Sequence, residues 1–352
     1  ILNALDNDKA QSVIELLKVE EQEEIAEIMG YPDDSAGALM NTEVFTLHES
    51  ITAGEAIKTL QDQENAEMVF YLYITDNDDR LVGVISLRAL TTTPSSTNLK
   101  DIMIKKVHSI RPETDQEDVA RIVAQYNFLA VPVLDSDSKL LGIVTVDDVV
   151  DVIREEATED FLQMAGAGKD REILLKSSWE NAKARLPWLF ASWIGGVIAA
   201  SLIGVFENML ENIIALAAFI PVILGMGGNI ATQSSTIIVR GMATGRVNEG
   251  GEIKLILKEV QVGIILGILY GILLGVFARF TFSSAPKNLG IVVGLSICVS
   301  MIVAATVGTV IPLILRKLDI DPAIATGPFV TTSIDILGVL FYFMIAGFFL
   351  SV

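Results

Sequence analysis

Beyond Pro187 the apolar positions run in five blocks, at about residues 188–206, 213–238, 259–280, 289–315 and 323–352. Each reaches the roughly 20 residues an α-helix needs to cross about 30 Å of hydrocarbon, so the pattern predicts five membrane-spanning helices. The second and fifth blocks differ from the rest in holding Gly, Pro, Thr, Ser and Asn in quantity. Helices that pack closely or line a water path carry such residues, whereas lipid-facing helices need not. Asp335 falls inside the fifth block, within "GPFVTTSIDILGVLFYF" at 327–343. An unpaired carboxylate there costs a few kcal/mol at least, which makes Asp335 a candidate functional residue.

Ahead of these blocks the periodicity changes and repeats itself. "MNTEVFTLHESITAGEAIKTLQDQENAEMVFYLYITDNDDRLVGVISLRAL" and "MIKKVHSIRPETDQEDVARIVAQYNFLAVPVLDSDSKLLGIVTVDDVV" each read as a short strand, a helix, an apolar strand, an Asp-rich turn, and a strand leading into a helix. This β-α-β-β-α plan resembles the cystathionine-β-synthase (CBS) domain, expected here over 37–98 and 99–152. The resemblance implies a tandem pair that binds adenine nucleotides, ATP among them, in the cleft between its halves. It places Asp148 at a ribose, Thr145 at a phosphate and Phe128 against an adenine. The matching place after Ser86 is Ala89, so at most one good nucleotide site is expected. A pair that only sets subunit geometry is the alternative.

Charge separates the same two regions. The chain of 352 residues is 51% hydrophobic yet has a net charge of −19. Residues 1–172 hold 35 of the 44 Asp and Glu but 14 of the 25 Lys and Arg, leaving that part at −21 and the remainder at +2. So acidic a front part excludes nucleic acid as a natural partner and suits mobile cations, although a solvated surface explains it equally. The single cysteine, Cys298, rules out a disulfide framework or CxxC site. The only histidines are His48 and His108, and no P-loop, HExxH or Ser/His/Asp arrangement is visible, which argues against an enzyme. The opening "ILNALDNDKAQSVIELLKVEEQEEIAEIMGYP" is polar and helical, without a signal peptide or a transit peptide. Lys176, Lys183 and Arg185 precede the first block, Arg240, Arg246, Lys254 and Lys258 lie between the second and third, and Arg316 and Lys317 between the fourth and fifth. That bias puts the N-terminal domains in the cytoplasm and the C-terminus outside.

Residues 145–172 connect the two regions. Val146, Val149, Val150, Ile153, Ala157 and Phe161 recur at helical spacing and predict one apolar stripe. Asp148 and Asp151, and Glu156 with Glu159 or Asp160, are like-charged neighbours on the remaining surface, and they repel unless cations lie between them. Mg²⁺, a hard ion that keeps several waters and takes one or two carboxylates, suits such a helix. A solvated acidic linker is the plainer reading.

Three motifs, "YPDDSAGALM" before the repeats, "PVILGMGGNIATQSSTIIVRG" in the second block and "DPAIATGPFVTTSIDILGVLFYF" in the fifth, together resemble the MgtE family of magnesium channels and transporters. The resemblance covers essentially the whole chain in order. It implies the remnant of a helical N-domain over 1–36, tandem CBS domains, a connecting "plug" helix and a five-helix membrane domain over 183–352, in a homodimer of the plasma (inner) membrane whose second and fifth spans surround one pore. Asp335 falls on the pore carboxylate and Asp321 on the acid at the pore mouth. Asp148, Asp151, Glu156, Glu159 and Asp160 match positions that bind regulatory Mg²⁺, with Glu117 a further carry-over, while Asn127 stands where members often have Asp. Transport of Mn²⁺ or Co²⁺, Na⁺-coupled Mg²⁺ export, and nucleotide sensing without transport are the alternatives.

Overall fold

The computed structural model describes residues 28–62, 71–168, 173–247, 250–318 and 320–350. Most of the expected N-domain remnant, 1–27, lies outside them. The chain divides into two compact units that meet in sequence between Glu156 and Ala157.

In the first unit the order is α1 (Ala36–Leu39), β1 (Thr46–His48), α2 (Ala53–Gln61), β2 (Tyr71–Thr75), β3 (Leu81–Ser86), α3 (Leu87–Thr92), α4 (Leu99–Ile102), α5 (Gln116–Tyr126), β4 (Ala130–Leu134), β5 (Leu140–Thr145) and the start of α6 (Val146–Met164). β1 pairs with β2 in parallel, and β2 with β3 antiparallel. β4 and β5 form a second antiparallel pair. Local chemistry fixes the helix ends. Thr52 and Glu55 make a capping box on α2, and Asp115 caps α5, which Asn127 closes in the left-handed conformation at φ 55°. Asn tolerates that backbone well, a local reason for Asn127.

The two repeats match in detail. Each hairpin shifts register at the same place, between Ile74 and Thr75 and between Val133 and Leu134. In the Asp-rich turns Asp76 Oδ1 accepts the N–H groups of Asp78 and Arg80 at 2.9 and 3.0 Å, as Asp135 Oδ1 accepts those of Asp137 and Lys139 at 2.9 and 2.8 Å. These aspartates are turn formers. The turns meet where the Leu81 N–H donates to the Ser138 carbonyl at 3.0 Å.

One expectation needs correcting. The first strand of the second repeat is reduced to a single bridge between Ile110 and Val133. Pro132 accepts the Ile110 N–H through its carbonyl at 3.0 Å but has no N–H to give back, and Pro112 follows closely.

The second unit holds α7 (Ser178–Val205), α8 (Glu207–Asn212), a 3₁₀ turn at Ile214–Phe219, α9 (Ile220–Ala243), α10 (Glu252–Thr281), α11 (Leu289–Lys317), a 3₁₀ turn at Pro322–Thr326, and α12 (Pro328–Leu350). Five of these stretches are long and apolar enough to cross a membrane, the second joining Ile214–Phe219 to α9. The first was expected after Pro187 but begins at Ser178, where Ser177 and Glu180 make a capping box, and Pro187 lies inside the helix. The central helix is α11, packed against α9, α10 and α12 with buried positions recurring from Leu289 to Leu313. Its approach to α9 requires Gly308, because a Cβ there would collide with the Ala231 carbonyl.

Candidate functional site

α12 carries four polar side chains within five residues, Thr331, Thr332, Ser333 and Asp335. Thr331 Oγ1 donates to the Gly327 carbonyl at 3.3 Å, and Ser333 Oγ donates to the Phe329 carbonyl at 2.7 Å. Hydroxyls folded back on the preceding turn are tolerable inside a bilayer. Asp335 has no such bond. It is half-buried and has no hydrogen-bond or ion-pair partner among the described residues.

The neighbouring α9 is two-faced. Ile223, Gly227, Ile230 and Ala231 are buried, and a Cβ on Gly227 would stand 2.9 Å from both Ile334 Cγ2 and Ser300 Oγ. The residue before Asp335 therefore touches the Gly-rich turn of α9. Gly225, Asn229 and Gln233, four residues apart, are exposed. A polar stripe on a spanning helix is costly against lipid, so water or protein must cover it.

At the end of the bundle where α9 finishes and α12 begins, the polar contacts are closed. Asp321 Oδ1 accepts the Ala323 N–H at 2.8 Å and caps the 3₁₀ turn. Ser235 Oγ donates to Thr326 Oγ1 at 3.2 Å, and the adjacent Ser234 Oγ donates to Glu259 Oε2 at 2.8 Å, all of them buried. α6 ends beside the same turn, the Gln163 and Met164 carbonyls lying within 3.8 Å of where a Cβ on Gly327 would stand.

Acids of α6 find partners close by. Asp148 accepts the Thr145 N–H at 3.2 Å, Asp151 pairs with Arg154 at 3.4 Å, Glu156 accepts from Gln116 Nε2, and Glu159 accepts from Gln163 Nε2 at 3.1 Å. Asp160 lies beyond them on the same helix, and Glu117 in the first turn of α5. Among the described residues no three His, Cys, Asp or Glu side chains converge on one metal position. The apolar stripe also differs from expectation. Val149 and Val152 are buried, while Val150, Ile153 and Phe161 stand exposed.

A cavity of about 180 Å³ in the first unit is lined by Tyr71, Tyr73, His108, Phe128, Ala130 and Pro132, among others. Tyr73 is buried and its hydroxyl has no partner among the described residues. Burial, with Tyr71 nearby, pushes that hydroxyl's pKa well above the ordinary tyrosine value. His108 stacks on Tyr126 with ring centroids 4.6 Å apart, and Tyr126 on Phe128 at 5.3 Å. Of the expected nucleotide residues only Phe128 lines this cavity, since Thr145 and Asp148 bond each other at the start of α6.

The profile of the MgtE family, described as a divalent cation transporter, matches residues 220–345, and that of the CBS domain matches 36–94 and 99–155. The magnesium transporter MgtE of Bacillus subtilis is 37% identical over 358 residues, covering 98% of this chain and 79% of the relative. That of Enterococcus faecalis is 40% identical over 332 residues, covering 94% and 72%. The chain belongs to the MgtE family. A solved cytosolic domain of the Mg²⁺ channel MgtE in complex with ATP is 40% identical with a TM-score of 0.41, covering 42% of this chain and 60% of that one.

As an MgtE-family chain it joins tandem CBS domains to a multi-pass membrane domain. Against that frame the sequence missed Glu259, an acid at the edge of the third apolar block whose burial beside Ser234 only the fold reveals. It also missed Tyr73 and His108. The tyrosines at 71 and 73, two apart on one strand and hence on one face, were the available signal.

Proposed function

We propose that the chain conducts Mg²⁺ across the membrane as a homodimer, with Asp335 of each copy facing a shared aqueous path. The observation that carries this reading is a half-buried carboxylate in a spanning helix with no partner of its own among the described residues. Beside it runs the exposed Gly225, Asn229 and Gln233 stripe of α9, which a second copy and water would cover. Two carboxylates near one axis concentrate divalent cations, and the hydroxyls and carbonyls of α9 and α12 serve as partners to an ion that keeps its inner waters. Removing those waters from Mg²⁺ is costly, so selection by the width of the hydrated ion follows.

Regulation follows from α6. Its carboxylates are hard oxygen donors suited to hydrated Mg²⁺, but among the described residues they do not converge on one position, so the ions would bridge them to facing acidic surfaces in a compact closed state. Glu117 would contribute from α5, and Asp321 at the pore mouth. Low internal Mg²⁺ leaves the acids repelling and frees the path, a change felt at Gly327 where α6 ends. ATP in the cavity beside Tyr73 and Phe128 would bias the compact state. The N-terminal domains lie in the cytoplasm and the C-terminus outside.

The test is ion flux into proteoliposomes holding the whole chain. Mg²⁺ entry that Mn²⁺ and Co²⁺ fail to replace, that needs no Na⁺ gradient, and that internal Mg²⁺ shuts off is the expected result. A charge-neutralised α6 (Asp151→Asn, Glu156→Gln, Glu159→Gln) should conduct without that shut-off. Equal entry of Mn²⁺ or Co²⁺, or a strict Na⁺ requirement, would replace this reading with transport of another divalent ion or coupled export.

A further inference from the structure

We propose that Arg246, Lys254 and Lys258 form a binding site for the headgroup of an anionic phospholipid. Lys254 and Lys258 stand one helical turn apart near the start of α10, and Arg246 lies in the connection that leads into it. With Gln261 and the apolar Val247 and Leu255 they line a recess of about 670 Å³.

Among the described residues nothing neutralises these three charges. Two other bases near this end are occupied, Arg316 Nη1 donating to the Val247 carbonyl at 3.2 Å and Lys317 pairing with Glu252 at 3.5 Å. The side chains of Arg246, Lys254 and Lys258 have no hydrogen-bond or ion-pair partner among the described residues. Glu259, next in sequence to Lys258, is turned inward to Ser234. Like charges one turn apart on a helix repel, so the arrangement gains from an anion outside the chain.

The surroundings specify which anion. On the same helix Ile253, Leu257, Ile264, Ile265 and Ile268 are exposed, so an apolar surface leads away from the recess along α10. An acidic peptide or a soluble phosphate would use the bases and leave that surface bare. A phospholipid uses both, its phosphate among the bases and its acyl chain along the isoleucines. A general surplus of bases beside a membrane sets topology without requiring three of them in one recess.

Native mass spectrometry of the whole chain, taken from nanodiscs of mixed phosphatidylglycerol and phosphatidylcholine, tests the proposal. Retention of phosphatidylglycerol over phosphatidylcholine is expected, with about a five-fold loss of affinity for each base removed in Lys254→Gln and Lys258→Gln. The double Lys→Arg variant should keep the lipid, as should Arg279→Gln/Lys287→Gln at the opposite end of α10 and the following loop. Thermal stabilisation by phosphatidylglycerol should disappear in the double Lys→Gln variant alone. Equal retention of phosphatidylcholine, undiminished retention by the double Lys→Gln variant, or displacement of the lipid by millimolar inorganic phosphate would overturn the assignment. So would a second copy of the chain protecting Lys254 and Lys258 in lipid-free detergent.

Discussion

Ser234 of α9 donates its hydroxyl to the carboxylate of Glu259 on α10 across 2.8 Å, and both side chains are buried in the spanning bundle. Its neighbour Ser235 reaches Thr326 at 3.2 Å in the turn ahead of α12. Two consecutive serines thus tie the helix with the exposed polar stripe to two different elements. Hydrogen bonds of this kind in membranes contribute modestly, yet removing one partner leaves the other stranded in an apolar setting.

Glu259→Ala is therefore expected to destabilise the membrane unit by about 1–2 kcal/mol. Glu259→Gln, which keeps an acceptor for Ser234, should cost less. Thermal unfolding in detergent measures both, and an alanine variant as stable as the parent would show that the bond contributes nothing.

How far the sequence foretold this arrangement depended on whether a signal was local. Five spans were legible because each is a long apolar block, and Asp335 because it stands alone within one. The start of α7 was not, since its capping box lies in polar sequence and Pro187 masked the continuity. The buried face of α6 was misjudged in part, because tertiary packing kept Val149 of the expected stripe but joined Val152 to it and left Val150, Ile153 and Phe161 exposed. Glu259, Tyr73 and His108 gain their meaning from partners distant in sequence, which periodicity does not report.

The cavity in the first unit offers a separate check. Phe128 supplies a ring face and Tyr73 a buried hydroxyl without a partner among the described residues. Phe128→Ala should weaken adenine-nucleotide binding about ten-fold or more, as loss of one base-stacking ring does. Calorimetric titration of the whole chain with ATP reads this directly, and unchanged affinity would remove the adenine from this cavity.

The Asp76 turn predicts a dependence on acid. The Arg80 N–H holds the Asp76 carboxyl below its ordinary value against an opposing effect of burial, with the Asp78 N–H and the positive charge of Arg80 adding to the depression. A carboxyl depressed in the folded state stabilises above its unfolded pKa and loses that contribution as pH falls through the folded value. Protection of the Asp78 and Arg80 amides from hydrogen exchange should accordingly drop below about pH 4. Asp76→Asn keeps an acceptor without the titration, so its protection should vary less with pH. An identical pH profile in the variant would dismiss the carboxylate as the cause.

The central claim is that Asp335 faces the ion path, and Mg²⁺ flux into proteoliposomes holding Asp335→Ala and Asp335→Asn tests it most directly. The account predicts that both variants fold, with thermal stability near that of the parent, and that flux falls to background. Parental flux from a folded Asp335→Ala protein would contradict it.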